Sequence, residues 1–239
     1  MAGEILKSEG ICLDIRGWSK TSHVVSWLTP DGRVATVVKG AVRPKSAFLG
    51  QYDLNYTCEI LYYARARGEL HALRECSPLA LRERLRDDYR ALALSAHYRL
   101  LASRMCPAGP DARGFYRLLS TSLDALEEPG DELRKLLVYE LGVLSLAGIA
   151  PDFSGYGRTA EWSPFSVEEG RFADSGRVVR VSRAAAEALA GGLRGEIGPQ
   201  ILLECCRVFG VYYAFHTEER LETRRLVLKL IAKTHIGES

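Results

Sequence analysis

The stretch HVVSWLTPDGRVATVVKGA, residues 23–41, decides how the N-terminal part of this chain folds. Its first arm, HVVSWLT, is rich in β-branched and aromatic residues, which favour strands. Pro30-Asp31-Gly32 follows and favours a tight turn, because proline presets φ and glycine permits positive φ. A second arm, RVATVVKGA, then begins at Arg33. The stretch therefore predicts a β-hairpin.

Three more strands are predicted around this hairpin, at residues 10–16, 54–64 and 70–76. Gly68 separates the last two, because glycine weakens a strand interior. Five short strands within residues 1–80 are typical of a small closed barrel, and an oligonucleotide-binding (OB) barrel has five. An SH3-like barrel remains the alternative, since the number of strands does not distinguish the two.

After Pro78 the apolar spacing changes to three and four residues, the period of an amphipathic helix. The positions that carry this period are Leu81, Leu85, Tyr89, Leu92, Ala96 and Leu100. Further helices are predicted at residues 115–126, 133–144, 182–190, 198–215 and 221–233. Asp131 is placed to cap the helix at 133–144, and Gly148 is placed to end it.

The sequence therefore predicts a multi-domain α+β protein. Residues 1–80 form the barrel, and residues 81–239 form an all-helical C-terminal domain. An irregular insert interrupts this domain at about residues 152–176, where glycine is frequent and cysteine is absent. The insert has enough aromatic residues to pack: Phe153, Tyr156, Trp162, Phe165 and Phe172.

Composition excludes several classes of protein. The chain has 239 residues, of which 47% are hydrophobic and 26% charged, close to the average of soluble globular proteins. It therefore has the apolar residues for a core and is neither disordered nor fibrous. No apolar run reaches the roughly 18 residues of a membrane span, and the N-terminus lacks the basic region of a secretory signal. We expect a cytoplasmic protein.

The six cysteines include no C-x-x-C pair, which structural zinc sites usually contain. Cys205 and Cys206 are adjacent, and neighbours on a helix point about 100° apart. Buried reduced thiols are therefore expected, and no metal ligands. Phosphate-binding loops, zinc-protease motifs and nucleophile elbows are also absent from the sequence. We predict no catalytic residues and no enzymatic activity.

The net charge of +2 is too small to indicate nucleic-acid binding by itself. Its distribution is more informative, because no acid lies between Asp31 and Asp53 while the loop after the hairpin contains three cations. The cations Lys39, Arg43 and Lys45 can follow a phosphate backbone, and a solvated basic loop is the competing interpretation.

Two further groups extend this hypothesis. Arg65 and Arg67 follow a run of tyrosines, a combination that can hold phosphates and stack bases. We expect at least half of the tyrosines Tyr52, Tyr56, Tyr62 and Tyr63 to belong to the core. Near the C-terminus, Arg224, Arg225 and Lys229 form a possible second basic site, for phosphate or for an acidic peptide, and a solvated face is the alternative.

Three motifs together resemble the RecO family of bacterial recombination mediators, over nearly the whole chain. The first is Val38-Lys39-Gly40-Ala41, followed by Arg43-Pro44-Lys45-Ser46. The second is Tyr139-Glu140-Leu141, leading to Gly148-Ile149-Ala150-Pro151. The third is His216, followed by a Leu-x-x-Arg-Arg helix. Their order and spacing are similar to those of the family.

The resemblance implies an N-terminal OB barrel and a C-terminal helical domain. It also implies binding of single- and double-stranded DNA, strand annealing, and loading of the RecA recombinase onto strands coated by single-stranded-DNA-binding protein (SSB). The implied partners are RecR and the acidic C-terminal tail of SSB, at the nucleoid. The alternative is an adaptor whose helical domain binds an acidic protein tail, with a purely structural barrel.

The sequence departs from the family in two places. Many relatives carry a four-cysteine zinc module after the G-x-x-P segment, whereas residues 151–176 contain no cysteine. We therefore predict neither zinc nor another cofactor. We expect apolar packing to replace the stabilisation that the metal gives, through Trp162, Phe165 and Phe172. An acidic residue often found near Gly17 is replaced by Trp18-Ser19-Lys20, where the added cation either extends the DNA surface or is simply exposed.

Overall fold

The computed structural model describes residues 4–65, 68–107, 109, 112–217 and 222–236, the last five of them without their side chains. Contacts divide the chain into two compact units, Met1–Glu128 and Pro129–Ser239. No helix in the described part of the chain is long and apolar enough to cross a membrane.

The first unit contains a closed five-stranded barrel with the strand order β1-β2-β3-β5-β4. The strands are β1 (Ile5–Ser19), β2 (Ser22–Thr29), β3 (Gly32–Val38), β4 (Thr57–Tyr63) and β5 (Leu70–Ala80). The long β1 pairs with both β2 and β4, and β3 pairs with β5 in parallel. This is the OB topology, which confirms the predicted fold class and excludes the SH3-like alternative.

The predicted hairpin forms the β2–β3 pair, in which Thr29 lies opposite Gly32. Gly32 has a φ of +134°, and a Cβ there would lie 3.3 Å from the backbone nitrogen of Gly109. Glycine therefore serves both the turn and the close approach of a second chain segment. Inside the barrel, the indole of Trp27 is fully buried, and its Nε1–H donates to Thr36 Oγ1 at 2.9 Å.

Two helices, α1 (Tyr89–Met105) and α2 (Ala112–Ala125), complete the first unit. The helix predicted to start near Leu81 starts later. Arg82 adopts a left-handed conformation with φ of 51°, and a single 3-10 turn, Glu83–Arg86, follows it. Asp88 then caps α1 by accepting the backbone N–H of Arg90 at 2.8 Å.

Buried polar side chains attach these helices to the barrel. Arg82 donates to the Asn55 carbonyl at 2.6 Å and to Asp124 of α2 at 2.7 Å. Arg99 of α1 donates to Asn55 Oδ1 at 2.8 Å and to the Leu13 carbonyl at 2.6 Å. The compact unit therefore extends to residue 128, beyond the end of β5, where the boundary was predicted. A separate domain at residues 1–80 stays a prediction.

The described residues of the second unit form four helices and a small sheet. Its elements are α3 (Glu132–Leu146), β6 (Trp162–Ser166), β7 (Arg171–Phe172), β8 (Val178–Ser182), α4 (Arg183–Ala190), α5 (Pro199–Thr217) and α6 (Glu222–Ile236). The predicted all-helical domain is therefore wrong in one respect, because the insert contributes an antiparallel sheet in the order β7-β6-β8. These strands are short and do not alternate clearly in hydrophobicity.

Of the two predictions made for the ends of helix α3, the N-terminal cap is wrong and the C-terminal glycine is confirmed. Asp131 lies at its N-cap, but with φ of 57° and without a capping hydrogen bond from its side chain. Gly148 ends the helix as predicted, with φ of +74°. The backbone N–H of Ile149 then donates to the Leu144 carbonyl at 3.0 Å, which satisfies one of the last carbonyls of the helix.

Aromatic rings form the core of the small sheet. The Phe165 ring centroid lies 5.1 Å from that of Phe153, 5.5 Å from Phe172 and 6.0 Å from Tyr212 of α5. Trp162 lies outside this cluster and is 40% exposed, with the Arg180 guanidinium 5.4 Å from its ring centroid. Two of the three residues predicted as an apolar core of the insert therefore pack together.

Candidate nucleic-acid interface

The three predicted cations Lys39, Arg43 and Lys45 are all exposed in the basic loop, residues 39–46, which leaves the barrel after β3. Gly40, with φ of +68°, turns the chain directly after Lys39. Two turns follow, in which the N–H of Arg43 donates to the Gly40 carbonyl at 3.1 Å and that of Ser46 to the Arg43 carbonyl at 2.9 Å. The loop thus has a defined backbone.

Gly40 also makes room for a neighbouring side chain. A Cβ at position 40 would lie 3.2 Å from Cδ and 3.4 Å from Nε of Arg43. The Arg43 side chain therefore lies across the backbone of Gly40. Glycine is required at this position both by the positive φ and by this contact.

The basic loop lies against the end of the β1–β2 hairpin. The Gly40 N–H donates to Ser22 Oγ at 3.3 Å, and the Val42 N–H donates to the Thr21 carbonyl at 3.4 Å. These bonds place the exposed Lys20 next to the loop. Lys20 belongs to the segment in which the sequence departs from the family, and its position extends the cationic surface.

The surroundings of this surface leave its positive charge uncompensated. Within the described residues, Lys20, Lys39, Arg43 and Lys45 form no ion pair. The acids that flank the segment in sequence are engaged elsewhere: Asp53 accepts from Arg86 at 2.7 Å, and Asp31 lies 3.6 Å from Arg113. Cations of one sign on neighbouring turns create a positive field that attracts polyanions.

Arg65 lies apart from the basic loop in the structure. Arg67 lies outside the described residues. Arg65 is exposed, and its backbone N–H donates to Nδ1 of His71 at 3.2 Å. His71 pairs with Thr36 of β3, three residues before Lys39, so the backbones of residues 36 and 39 are roughly 10 Å apart at about 3.3 Å per residue.

The tyrosines divide as expected, with at least half of them in the core. Tyr56 and Tyr62 are 7% exposed and belong to the barrel core. The hydroxyl of the half-buried Tyr52 lies 2.8 Å from His23 Nδ1, and burial raises the pKa of Tyr52 to about 12. Tyr63 is exposed, with the Arg74 guanidinium 5.9 Å from its ring centroid. Stacking by Tyr56 or Tyr62 is therefore excluded.

The three cations of the possible second basic site do not share one exposed surface. Arg224 is 9% exposed, and it donates to both carboxylate oxygens of Glu140 at 2.7 and 3.1 Å and to the Cys206 carbonyl at 2.9 Å. Burial lowers the pKa of Arg224, but the Glu140 charge outweighs this effect and the net pKa is raised. The assignment of Arg224 to an exposed site is therefore wrong.

The other two residues of the possible second site, Arg225 and Lys229, are exposed. Arg225 pairs with Glu222 at 2.9 Å. With Lys229, they line a surface pocket of about 350 Å³ around Leu226, which is 46% exposed. An exposed leucine between cations suits a peptide that is both apolar and acidic.

Family models match both parts of this chain. The model described as "Recombination protein O N terminal" matches residues 1–82, and the one described as "Recombination protein O C terminal" matches residues 86–225. The chain belongs to the RecO family. The first model covers the barrel and the second covers the helices that follow it.

Curated relatives named "DNA repair protein RecO" are similar to the chain over most of their length. The protein from Symbiobacterium thermophilum is 26% identical, over 92% of this chain and 95% of the relative. That from Exiguobacterium sp. (strain ATCC BAA-1283 / AT1b) is 24% identical, over 97% and 98%. That from Alkaliphilus metalliredigens is 26% identical, over 70% and 69%.

The zinc module of many RecO relatives has no matching ligands here. All six cysteines are buried free thiols, as predicted, and Cys205 and Cys206 lie on α5 rather than in the insert. Among the described residues, no three His, Cys, Asp or Glu side chains are grouped so as to hold a metal ion. The residues of the insert therefore do not fit a zinc site, and aromatic rings occupy its core instead.

Sequence reasoning did not single out Trp18 as a candidate ligand-binding residue, and it left Lys20 open between an extension of the DNA surface and simple exposure. The departure from the family pattern at these positions was visible, but their neighbours were not. Only the register of β1, β2 and β3 shows that the β1–β2 turn and the basic loop lie side by side. The signal available in the sequence was the absence of acids from residues 15–30 and 32–52.

Proposed function

We propose that this RecO-family chain is a non-enzymatic DNA-binding mediator of recombination in DNA repair. It binds single- and double-stranded DNA and anneals strands. With RecR it helps to load RecA onto SSB-coated single strands, in the cytoplasm at the nucleoid and without a metal cofactor. The observation that carries this proposal is the basic loop, whose exposed cations have no acidic partner among the described residues.

The chemistry of the loop supports DNA as its ligand. Lysine and arginine that are not paired within a protein release counterions from DNA when they neutralise phosphates, and this release drives binding. The guanidinium of Arg43 can contact phosphate oxygens in pairs, and the Ser46 hydroxyl can add a neutral contact. OB barrels bind oligonucleotides on the face of strands 2 and 3 and on neighbouring loops, and the basic loop begins where β3 ends. The name of the curated relatives, DNA repair protein RecO, agrees with this ligand.

The test is the binding of a labelled single-stranded oligonucleotide by fluorescence anisotropy across a salt series. For the wild type we expect log affinity to fall steeply with log salt, at about −0.7 per neutralised phosphate. Lys39→Glu/Arg43→Glu should bind more weakly at low salt. It should also flatten the slope by at least about 1.4, the contribution of two phosphates.

A matched control keeps the same change in net charge. Arg84 and Arg117 are exposed cations of the same compact unit, and Arg84→Glu/Arg117→Glu should change the slope far less than the loop variant. If Lys39→Glu/Arg43→Glu binds with wild-type affinity and slope, the basic loop is not the DNA site.

The pocket on α6 supports the second candidate function, an adaptor that binds an acidic tail such as that of SSB. Leu226 supplies the apolar contact, and Arg225 and Lys229 supply the positive charge. A labelled SSB-tail peptide should lose affinity for Leu226→Asp, while binding of the oligonucleotide is retained. Peptide binding by a wild-type protein that binds no oligonucleotide at low salt would favour the adaptor over the mediator.

A further inference from the structure

A β-bulge at the end of the β1–β2 hairpin presents one large aromatic ring. Gly17 pairs with His23 and Ser19 with Ser22, so the register shifts at Trp18, which has no residue opposite it. Bulges of this kind redirect a side chain out of the regular alternation of a strand. Trp18 is 62% exposed, and its ring makes no ring or cation contact with any described residue.

The two other tryptophans are engaged within the protein. Trp27 is fully buried in the barrel, and its indole N–H donates to Thr36. Trp162 is 40% exposed, but the Arg180 guanidinium lies over its ring. Trp18 therefore differs from both in presenting a ring surface on which a planar ligand can stack.

The bulge lies beside the basic loop. Ser19 pairs with Ser22, whose hydroxyl accepts the Gly40 N–H, so the backbones of residues 19, 22 and 40 are neighbours across the end of the barrel. Two strand spacings of about 4.8 Å place residue 40 roughly 10 Å from residue 19. The Trp18 ring, Lys20 in the adjacent turn and the cations of the basic loop thus lie within the length of a few nucleotides.

We propose that Trp18 stacks on an unpaired nucleobase, while Lys20, Lys39 and Arg43 hold neighbouring phosphates of the same strand. The ligand class is single-stranded nucleic acid with accessible bases. In a duplex the bases are already stacked on their neighbours, so a side chain at a hairpin end contacts only the backbone. The site therefore discriminates single strands from duplex, which the cations alone do not. This inference rests on the proposed function, because it assigns a role at the same surface.

Affinity measurements give the first test. Stacking of an aromatic side chain on a base contributes roughly a 5- to 150-fold gain in affinity. Trp18→Ala should lose affinity for single-stranded oligonucleotide by a factor in that range, and affinity for duplex of the same sequence by less than about twofold. Trp18→Phe should retain most of the preference, because phenylalanine also stacks.

Fluorescence gives the second test and reports on the ring itself. In a Trp162→Phe background, Trp18 is the exposed tryptophan and Trp27 is buried, so quenching by an added oligonucleotide reports on Trp18. A thymidine oligonucleotide should quench the emission. An abasic oligonucleotide of equal length should bind with a similar dependence on salt but without quenching.

The outcomes separate this inference from the proposed function. One outcome overturns only the stacking role: the wild type binds DNA through the basic loop, Trp18→Ala keeps the wild-type preference for single strands, and the tryptophan emission is not quenched. The mediator proposal then stands. An equal loss on single strands and duplex would also overturn the stacking role, because Trp18 would then act only on the shape of the loop. If the wild type binds no oligonucleotide at low salt, both proposals fail.

Discussion

Two groups of cations look alike in the sequence and differ completely in the structure. The basic loop after β3 and the start of α6 each contain three cations within seven residues, and each sequence pattern is compatible with a phosphate-binding surface. In the loop all three are exposed and form no ion pair within the described residues. In α6, Arg224 is buried against Glu140, and Arg225 pairs with Glu222.

The difference shows that the role of a cation depends on acids that lie far from it in sequence. Glu140 precedes Arg224 by 84 residues, and nothing local to α6 indicates that the two meet. Once they meet, the pair is removed from water and each group depends on the other. Among the described residues the loop has no such partner, and the acids that flank it pair with Arg86 and Arg113. The cations of the loop are thus available for a ligand, whereas Arg224 connects α6 to Glu140 of α3 and to Cys206 of α5.

The largest expected effect comes from breaking the buried pair. Glu140→Gln leaves the Arg224 guanidinium buried without a counter-charge, which costs about 3–5 kcal/mol in free energy of unfolding. The thiol of Cys206 next to this pair provides the measurement, because burial raises its pKa to about 12 and keeps it unreactive in the folded protein. Alkylation of Cys206 at increasing urea, read by mass spectrometry, should begin at much lower urea in the variant.

Glu222→Gln is the matched control for this experiment. It makes the same chemical change in the exposed pair with Arg225, where an ion pair three residues apart on a helix contributes only about 0.3–0.5 kcal/mol. Equal urea midpoints for the two variants would show that the buried pair does not stabilise the second unit.

A smaller effect is expected from Gly210→Ala in α5. In most helix interiors this change stabilises by up to about 1 kcal/mol, because alanine favours the helix. Here the new Cβ would lie 2.6 Å from Arg224 Nη1, so the guanidinium has to move away from Glu140. We expect a net destabilisation of about 1–3 kcal/mol, measured by the same alkylation assay.

The sign of this effect can be checked in a second background. In Arg224→Met/Glu140→Leu the guanidinium and its counter-charge are both gone, and the added methyl group should then stabilise the helix. A stabilising Gly210→Ala in the wild-type background would contradict the packing of Arg224 against Gly210.

The barrel could be predicted from sequence because the residues that determine it lie close to one another along the chain. The residues of the hairpin, the Pro-Asp-Gly turn and the five strands all lie within 80 residues. The start of α1 could not be predicted in the same way. The left-handed Arg82 is stabilised by its hydrogen bonds to Asn55 and Asp124, which are distant in sequence.

The candidate site could be predicted only in part for the same reason. Lys39, Arg43 and Lys45 are local to one loop and were identified as a group. The position of Trp18 and Lys20 beside them depends on the pairing of three strands and on the bond from Gly40 to Ser22. The error at Arg224 is the converse case, in which a distant residue removes a cation from the surface.

The smallest expected effect concerns the exposed cations of α6 and their contribution to DNA binding. Arg225 is already paired with Glu222, so of the two described cations Lys229 alone can neutralise a phosphate without first losing a partner. Arg225→Ala/Lys229→Ala should therefore flatten the salt dependence of single-strand binding by at most about 0.7, one phosphate. Lys39→Ala/Arg43→Ala/Lys45→Ala should flatten it by about 2, the contribution of three phosphates. Suppose that the two variants flatten the salt dependence equally. Arg225 would then leave Glu222 to bind DNA, and ion pairs within the protein would not decide which cations are available to a ligand.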